Sequence, residues 1–531
     1  MEGFFKKNET QAVTRPDGKM LSCIACGRFK NCENPKLAPT GNFSKGILNI
    51  CSHPTEMDDR RGKGYTGRGI RVLRKAYEDV GVDLDEDCLN IYVNQCYSEN
   101  SGTPTEVKIC RRNVMKIIQQ YKPKVIVLFG DNPLLSVIGG RWQKDLGTIQ
   151  KWQGWTIPDQ ELQAWVIPTF CPYRMEQSKN KVESVIWRQD LEKVVEYARK
   201  PLYRHKEPEI IYLQEEELSI LDTITTGTIA FDYETTGIKP HAAGHRIVCA
   251  SVAVTNDKVY TFMMPTSRKA RKPFTDLLQR SSVGKIAHNM KFEDTWTNVR
   301  LRVPVNNWVY DTMLASHIID NRAGVTGLKF QTYVQFGVID YDSEVSPYLR
   351  SKEEKDANAI NRIDELLEKP GGEQLLLKYC ALDSIFEMRL ANATKMHMKG
   401  TIGESPISPS NSNFPEAYQL FHEGCLALTK AERQGLRIDV EYAERKSKKL
   451  QMQIDRLEEK IKNSTFYKHW QHTARGKVNL NSGVMLGNYL YNVKKITPAK
   501  LTETGKGSTD EEALSMLHIP ELDWILERSK L

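Results

Sequence analysis

The stretch that most narrows the folds open to this chain is Thr228-Ile229-Ala230-Phe231-Asp232-Tyr233-Glu234. On an extended strand, Ile229, Phe231 and Tyr233 fall on one face while Asp232 and Glu234 share the other. The apolar face needs a core to pack on. The two carboxylates repel each other unless a cation lies between them.

Residues four apart on a helix are neighbours, so Tyr379-Cys380-Ala381-Leu382-Asp383 sets a phenol beside a third carboxylate. Between these segments, Ala287-His288-Asn289-Met290-Lys291-Phe292-Glu293-Asp294 makes a polar turn with two more acids after an apolar run. Such acids suit hard cations, which take oxygen ligands, and two cations about 4 Å apart clamp the attacking and leaving oxygens of a phosphodiester. Taken one at a time, the same residues read as a solvated strand face and a helix hydrogen bond.

In this order the three segments resemble the motifs of the DEDD exonuclease superfamily, in its Tyr-x-x-x-Asp subclass. The resemblance implies a ribonuclease H-like exonuclease domain, a mixed sheet flanked by helices, that proofreads DNA from the 3′ end with two Mg²⁺ or Mn²⁺ ions. Asp232, Glu234 and Asp383 would then hold one metal, Asp232 would share in the second, and Tyr379 would orient the attacking water. The family has Asp four residues after the motif Asn. Here Glu293 stands at that distance from Asn289, with Asp294 next to it, and Glu293 is assigned to the site because it keeps the spacing. Asp311, just before an apolar helix, reads as an N-cap.

A chain of 531 residues exceeds one core, and about 150 residues per domain predicts about three. With 27% charged and 40% apolar residues the composition is that of a folded protein and excludes a disordered or collagen-like chain. The net charge of +8 has the sign that suits contact with phosphates. No apolar h-region opens the sequence and no run approaches the about 20 apolar residues of a membrane helix, so a soluble intracellular protein with no membrane partner is expected. The expected division is α/β multidomain: 1–205, 206–400, a Ser-, Pro- and Asn-rich linker at 401–413, and a helical region at 414–531 where Leu450, Ile454, Leu457 and Ile461 recur at helix spacing.

Within that last region, Ala431-Glu432-Arg433-Gln434-Gly435-Leu436-Arg437-Ile438-Asp439, Asn479-Leu480-Asn481-Ser482 and Thr502 to Glu512 resemble, in order, the thumb of family A DNA polymerases. Asn481, Ser482, Lys506 and Ser508 sit in turns that expose amides, hydroxyls and a cation to a DNA backbone, and the same residues also suit turn and N-cap chemistry. In the resembled family the thumb runs on into palm and fingers. Synthesis is therefore expected from a separate polypeptide or from a longer parent of this chain.

Near the other end, Cys23 and Cys26 form a C-x-x-C pair with Cys96 and Cys110 following, a set able to ligate zinc or an iron-sulfur cluster; buried core thiols are the plainer reading. The region from Ser22 to Tyr197 resembles the family 4 uracil-DNA glycosylases, through Ile50 to Asp59, Gly62 to Gly69, and Ile167 to Tyr173. This resemblance implies a glycosylase-like α/β domain and favours a 4Fe-4S cluster of structural role over zinc. It fails at the chemistry. The family's Gly-Glu-Ala-Pro-Gly loop reads Cys51-Ser52-His53-Pro54-Thr55, and its His-Pro element reads Cys171-Pro172, so glycosylase activity is not expected. Tyr65 is expected to stack on a flipped base, and Arg60, Arg61, Lys63 and Arg68 to touch phosphate.

The whole layout resembles the front half of family A polymerases of large tailed bacteriophages. That implies a proofreading 3′-to-5′ exonuclease acting on primer-template DNA and a single-stranded 3′ end in the cytoplasm of a bacterial host, with a palm and fingers polypeptide as partner. The alternative is a non-catalytic DNA-holding and assembly subunit, and a uracil-DNA glycosylase ranks last.

Overall fold

The computed structural model describes residues 26–100, 102–352, 356, 358–398, 414–474, 478–502 and 505–531. Cys23 and the expected linker at 401–413 lie outside the described residues. The chain divides into two compact units, 1–433 and 434–531.

The first unit holds two sheets. The five-stranded sheet has the order β2-β1-β3-β5-β4, with β1 (Ile47–Cys51), β2 (Cys88–Tyr92), β3 (Val125–Phe129) and β5 (Ala164–Thr169) parallel and β4 (Ile157–Asp159) antiparallel to β5. β3 reads Val-Ile-Val-Leu-Phe and is buried throughout, the run expected of a parallel strand covered on both faces. The covering helices include α1 (Pro104–Tyr121), which starts at a Thr103 and Glu106 capping box, and α2 (Lys181–Arg199).

The second sheet has six strands in the order β11-β10-β7-β8-β9-β6, where β6 is Glu209–Tyr212, β7 Gly227–Thr235, β8 Ile247–Thr255, β9 Lys258–Met263, β10 Val283–Ala287 and β11 Trp308–Asp311. It is mixed: β7 runs parallel to β10 and antiparallel to β8, with Asp232 opposite Ser251 and Glu234 opposite Cys249. After β10 comes α3 (Met290–Trp296), and between the two sheets' cores lies α4 (Leu328–Phe336). The long α5 (Gly372–Met398) crosses β7, β8 and β9. Small residues let it come close: Ala230, Ala253 and Ala381 share one buried cluster, and the Ser251 hydroxyl donates to the Cys380 carbonyl at 2.7 Å.

α6 (Phe414–Gln434) was expected within the C-terminal helical region, but through Arg433 it belongs to the first unit. The Tyr418 ring stacks on Tyr310 at 4.7 Å, and its hydroxyl accepts the Asp311 N–H at 2.7 Å. The second unit is helical, led by α7 (Val440–Asn463), α8 (Thr465–Thr473) and α9 (Pro520–Lys530) around a core that includes Ile461, Phe466, Trp470, Tyr489, Leu490 and Leu522. No described helix is long and apolar enough to cross a membrane.

Candidate metal centre

Strand β7 and helix α5 supply the acids. β7 carries Asp232 and Glu234 two residues apart on its polar face, and α5 presents Tyr379 and Asp383 one turn apart. Glu293 enters from α3 and is 2% exposed; Glu234 and Asp383 are also buried. All five residues singled out from the sequence therefore gather around one site. Burial, then Asp383, raises the proton affinity of Asp232; burial, then Asp232, does the same for Glu234 and Glu293. The Tyr379 hydroxyl is pushed well up by burial and Asp383, so it stays a neutral donor.

Four further side chains complete the site. Glu387, one helical turn beyond Asp383, is 1% exposed, and burial together with Asp232 and Glu293 raises its proton affinity. One of its oxygens accepts the His288 N–H at 3.1 Å, while Oε2 has no hydrogen-bond partner, and neither has Oε2 of Glu293. Cys380 donates its thiol to Asp232 Oδ2 at 3.7 Å. Among the described residues, Asp232, Glu234 and Cys380 form the group whose potential ligand atoms all lie within 4.8 Å of one another.

The remaining two side chains are Lys329 and Tyr341. The Lys329 ammonium pairs with Asp383 and donates to the Tyr341 hydroxyl at 2.9 Å. Tyr341 in turn donates to Asp383 Oδ1 at 2.6 Å. The ammonium stands 4.3 Å from the ring centroids of both Tyr341 and Tyr379.

Glu293 and Asp294 have separate surroundings. Asp294 accepts from the Arg433 guanidinium at 2.9 Å and from Trp308 Nε1 at 3.2 Å, whereas Glu293 lies against Asp232. Asp311 is a cap: its carboxylate accepts the N–H groups of Met313 and Leu314, and those of Asn289 and Met290 as well. It thereby fixes the turn where Asn289 adopts a φ of 82°.

This donor set fits hard divalent cations. Carboxylate oxygens outnumber the one nearby ammonium, two of those oxygens lack any partner, and unpaired buried anions are costly unless a cation meets them.

The cysteines differ from expectation in one respect. Cys32, outside the set proposed from the sequence, neighbours Cys96, and burial with that neighbour pushes its thiol up to about 11. Cys96 Sγ also accepts the Lys36 N–H at 3.4 Å. Cys23 lies outside the described residues, and no three of the described cysteines, Cys26 and Cys110 included, bring their sulfurs within that same span.

Tyr65 is not available to stack on a base. It is 4% exposed, and its hydroxyl donates to the carbonyls of Asn49 and Ile91 at 3.1 and 2.9 Å. Arg60, Arg61, Lys63 and Arg68 are exposed. In the replaced loop, Ser52 Oγ accepts from Asn132 at 2.7 Å with His53 Nδ1 3.1 Å away. In the second unit Ser482 caps a short helix by accepting the Met485 N–H, and Asn481 Oδ1 accepts from Arg528 at 2.7 Å. Ser508 is buried and accepts the Asp510 N–H at 3.1 Å, so its hydroxyl is not offered to a DNA backbone; Lys506 is exposed.

Comparison with known proteins gives two family matches. Residues 209–397 match the 3′-5′ exonuclease family, and residues 38–200 match the uracil DNA glycosylase superfamily. The DNA polymerase of Escherichia phage T5 is 23% identical over 310 residues, 57% of this chain and 35% of that protein. The type-4 uracil-DNA glycosylase of Thermotoga maritima is 27% identical over 188 residues, 34% of this chain and 92% of that protein. The chain thus spans about a third of the length of the polymerase relative. The solved POL domain of Pol1 from M. smegmatis, in complex with DNA primer-template and dNTP, is 13% identical, and the likeness covers 61% of this chain and 48% of that one at a TM-score of 0.39.

Proposed function

We propose that this chain is the exonuclease-bearing part of a phage-type family A DNA polymerase, removing nucleotides from the 3′ end of DNA in proofreading. The observation that carries the reading is the meeting of the half-buried Asp232 with the buried Glu234, Glu293, Asp383 and Glu387, with partnerless oxygens on two of them. Asp232, Glu234 and Asp383 would hold one Mg²⁺ or Mn²⁺, and Asp232 with Glu293 a second. Bound there, such ions would lower the pKa of a water and stabilise charge on the phosphodiester. The neutral Tyr379 hydroxyl orients the attacking water, and Lys329 beside it fixes the ring and the Asp383 carboxylate. Glu387 braces the His288 turn that leads to α3.

The partners follow from the same reading: a primer-template with a single-stranded 3′ end, and palm and fingers supplied by another polypeptide or by the rest of a longer chain. The place of action would be the host cytoplasm, as for a phage replication protein. Cys23, Cys26, Cys96 and Cys110 would hold a structural 4Fe-4S cluster, or zinc, in the glycosylase-like part. Visible absorbance of anaerobically purified protein separates the two.

Degradation of a 3′-mismatched primer-template with Mg²⁺ or Mn²⁺ tests the main reading. Shortening from the 3′ end is expected, and it should vanish in the Asp232→Ala, Glu234→Ala double variant. Tight DNA binding with no shortening above that variant would replace it with a DNA-holding subunit.

A further inference from the structure

Helix α4 has two faces with different owners. Phe330, Tyr333 and Val334 belong to the core of the glycosylase-like part, where Phe330 and Tyr333 pack among Trp142 and Trp152 at centroid distances of 4.9 to 6.3 Å. The Tyr333 hydroxyl donates to Asp159 Oδ2 at 2.7 Å, and Arg141 holds the same fully buried carboxylate at 2.6 Å. The helix ends at Gly337 with a φ of 71°, so close to β4 that a Cβ there would stand 1.7 Å from the Pro158 carbonyl oxygen. The opposite face belongs to the acid site: Leu328 and Phe336 pack with Leu382 and Phe386 of α5, and Lys329 reaches Asp383.

A second grip lies beside the first. Lys144, in the loop after Trp142, pairs with Asp342 at 2.8 Å, and the preceding residue is Tyr341, the other group that bonds Asp383. Among the described residues, both hydrogen-bond donors to Asp383 therefore come from segments that the glycosylase-like fold holds.

We propose that the glycosylase-like fold is a working part of the exonuclease site: it grips α4 and the Tyr341 segment, and through them sets where Lys329 and Tyr341 hold Asp383 and Tyr379. This rests on the nuclease reading above. Lys329 is then a positioning residue that also places a positive charge among the acids. It should compete with divalent cations for them while keeping Asp383 and Tyr379 in productive orientation.

The test uses the full chain and three readouts: Mn²⁺ affinity by electron paramagnetic resonance of free Mn²⁺, single-stranded DNA exonuclease turnover, and thermal melting. Lys329→Met should bind Mn²⁺ several-fold more tightly yet turn over at least about 10-fold more slowly, a split that loss of structure would not produce, since it would weaken both. Lys329→Arg should recover part of the turnover. The mild pair Tyr333→Phe with Lys144→Ala, and the wedge Gly337→Ala, should shift both quantities the same way and add nothing in a Lys329→Met background. Socket variants with wild-type Mn²⁺ affinity and turnover, or effects that simply add to Lys329→Met, would overturn the proposal. An inactive wild-type chain would instead overturn the nuclease reading, while the Mn²⁺ arm would still report whether the socket and Lys329 are coupled.

Discussion

Glu293 and Asp294 are adjacent in sequence, yet only one faces the other acids. Because Asp294 is already held by Arg433 and Trp308, Asp294→Asn should change exonuclease kcat/KM less than about 3-fold while lowering stability by about 1–2 kcal/mol. Glu293→Gln should instead cost at least about 100-fold in turnover. Steady-state kinetics on a labelled oligonucleotide, with urea melts of both variants, checks the pair; equal losses would reverse the assignment. Glu387→Gln should weaken Mn²⁺ binding and slow turnover about 10-fold, as loss of a supporting carboxylate does, while raising the melting temperature of the metal-free protein because one buried anion is gone. Isothermal titration and melts in EDTA read both, and unchanged Mn²⁺ affinity would remove Glu387 from the site. The sequence made some of this legible. The two-residue spacing exposed Asp232 with Glu234, the four-residue spacing exposed Tyr379 with Asp383, and the same helical rule extended once more leads to Glu387. Lys329 and Tyr341 carried no such signal, since they reach the site by packing between distant segments. The burial of Tyr65 and Ser508 was hidden for the same reason.

At the level of elements, the β5 to α2 contact holds a carboxyl whose titration should govern stability. Asp190 on α2 is fully buried, accepts the Thr169 hydroxyl at 2.6 Å, and leaves Oδ1 without a partner. Burial pushes its pKa up to about 6, against the opposing pull of Lys193 and Arg322. A raised carboxyl pKa means the folded state holds the proton more tightly than the unfolded chain. Its contribution is therefore whole below about pH 4 and is lost as pH rises to about 6, a loss of about 3 kcal/mol. Asp190→Asn should gain stability relative to the parent across that window and no further above it. Denaturant melts at several pH values test this, and a pH-independent difference would refute it. Strands announced themselves well: β3 and β7 stand where their patterns put them, β3 as an apolar run covered on both faces, and β7 with its apolar residues in one core and its acids turned to the other covered face, under α5. Helix α6 did not announce its owner. Its sequence is amphipathic either way, and only the seating of Tyr418 on Tyr310 and Asp311 decides which core it covers.

For the whole molecule, the decisive feature is that 434–531 carries its own core. Trp470 is stacked on Tyr489 at 5.4 Å with an interplanar angle of 15°, Phe466 meets Tyr489 edge-on at 5.0 Å, and the Tyr489 hydroxyl donates to the Phe466 carbonyl at 3.1 Å. α9 is tied back to α7 by Arg528, which reaches Glu458 at 2.7 Å and also Asn481, so the ends of the unit are linked to its middle. A unit of this kind does not need the first unit's sheets to bury its apolar surface, and residues 434–531 expressed alone should unfold in one cooperative transition followed by the fluorescence of Trp470 and Trp524. Trp470→Ala should then remove about 3–5 kcal/mol, most of what a domain of this size commands, and leave a fragment largely unfolded at 37 °C. A broad, non-cooperative melt of the parent fragment would mean that its helices depend on the remainder of the chain, and the Trp470 core would have to be regarded as half of a larger one.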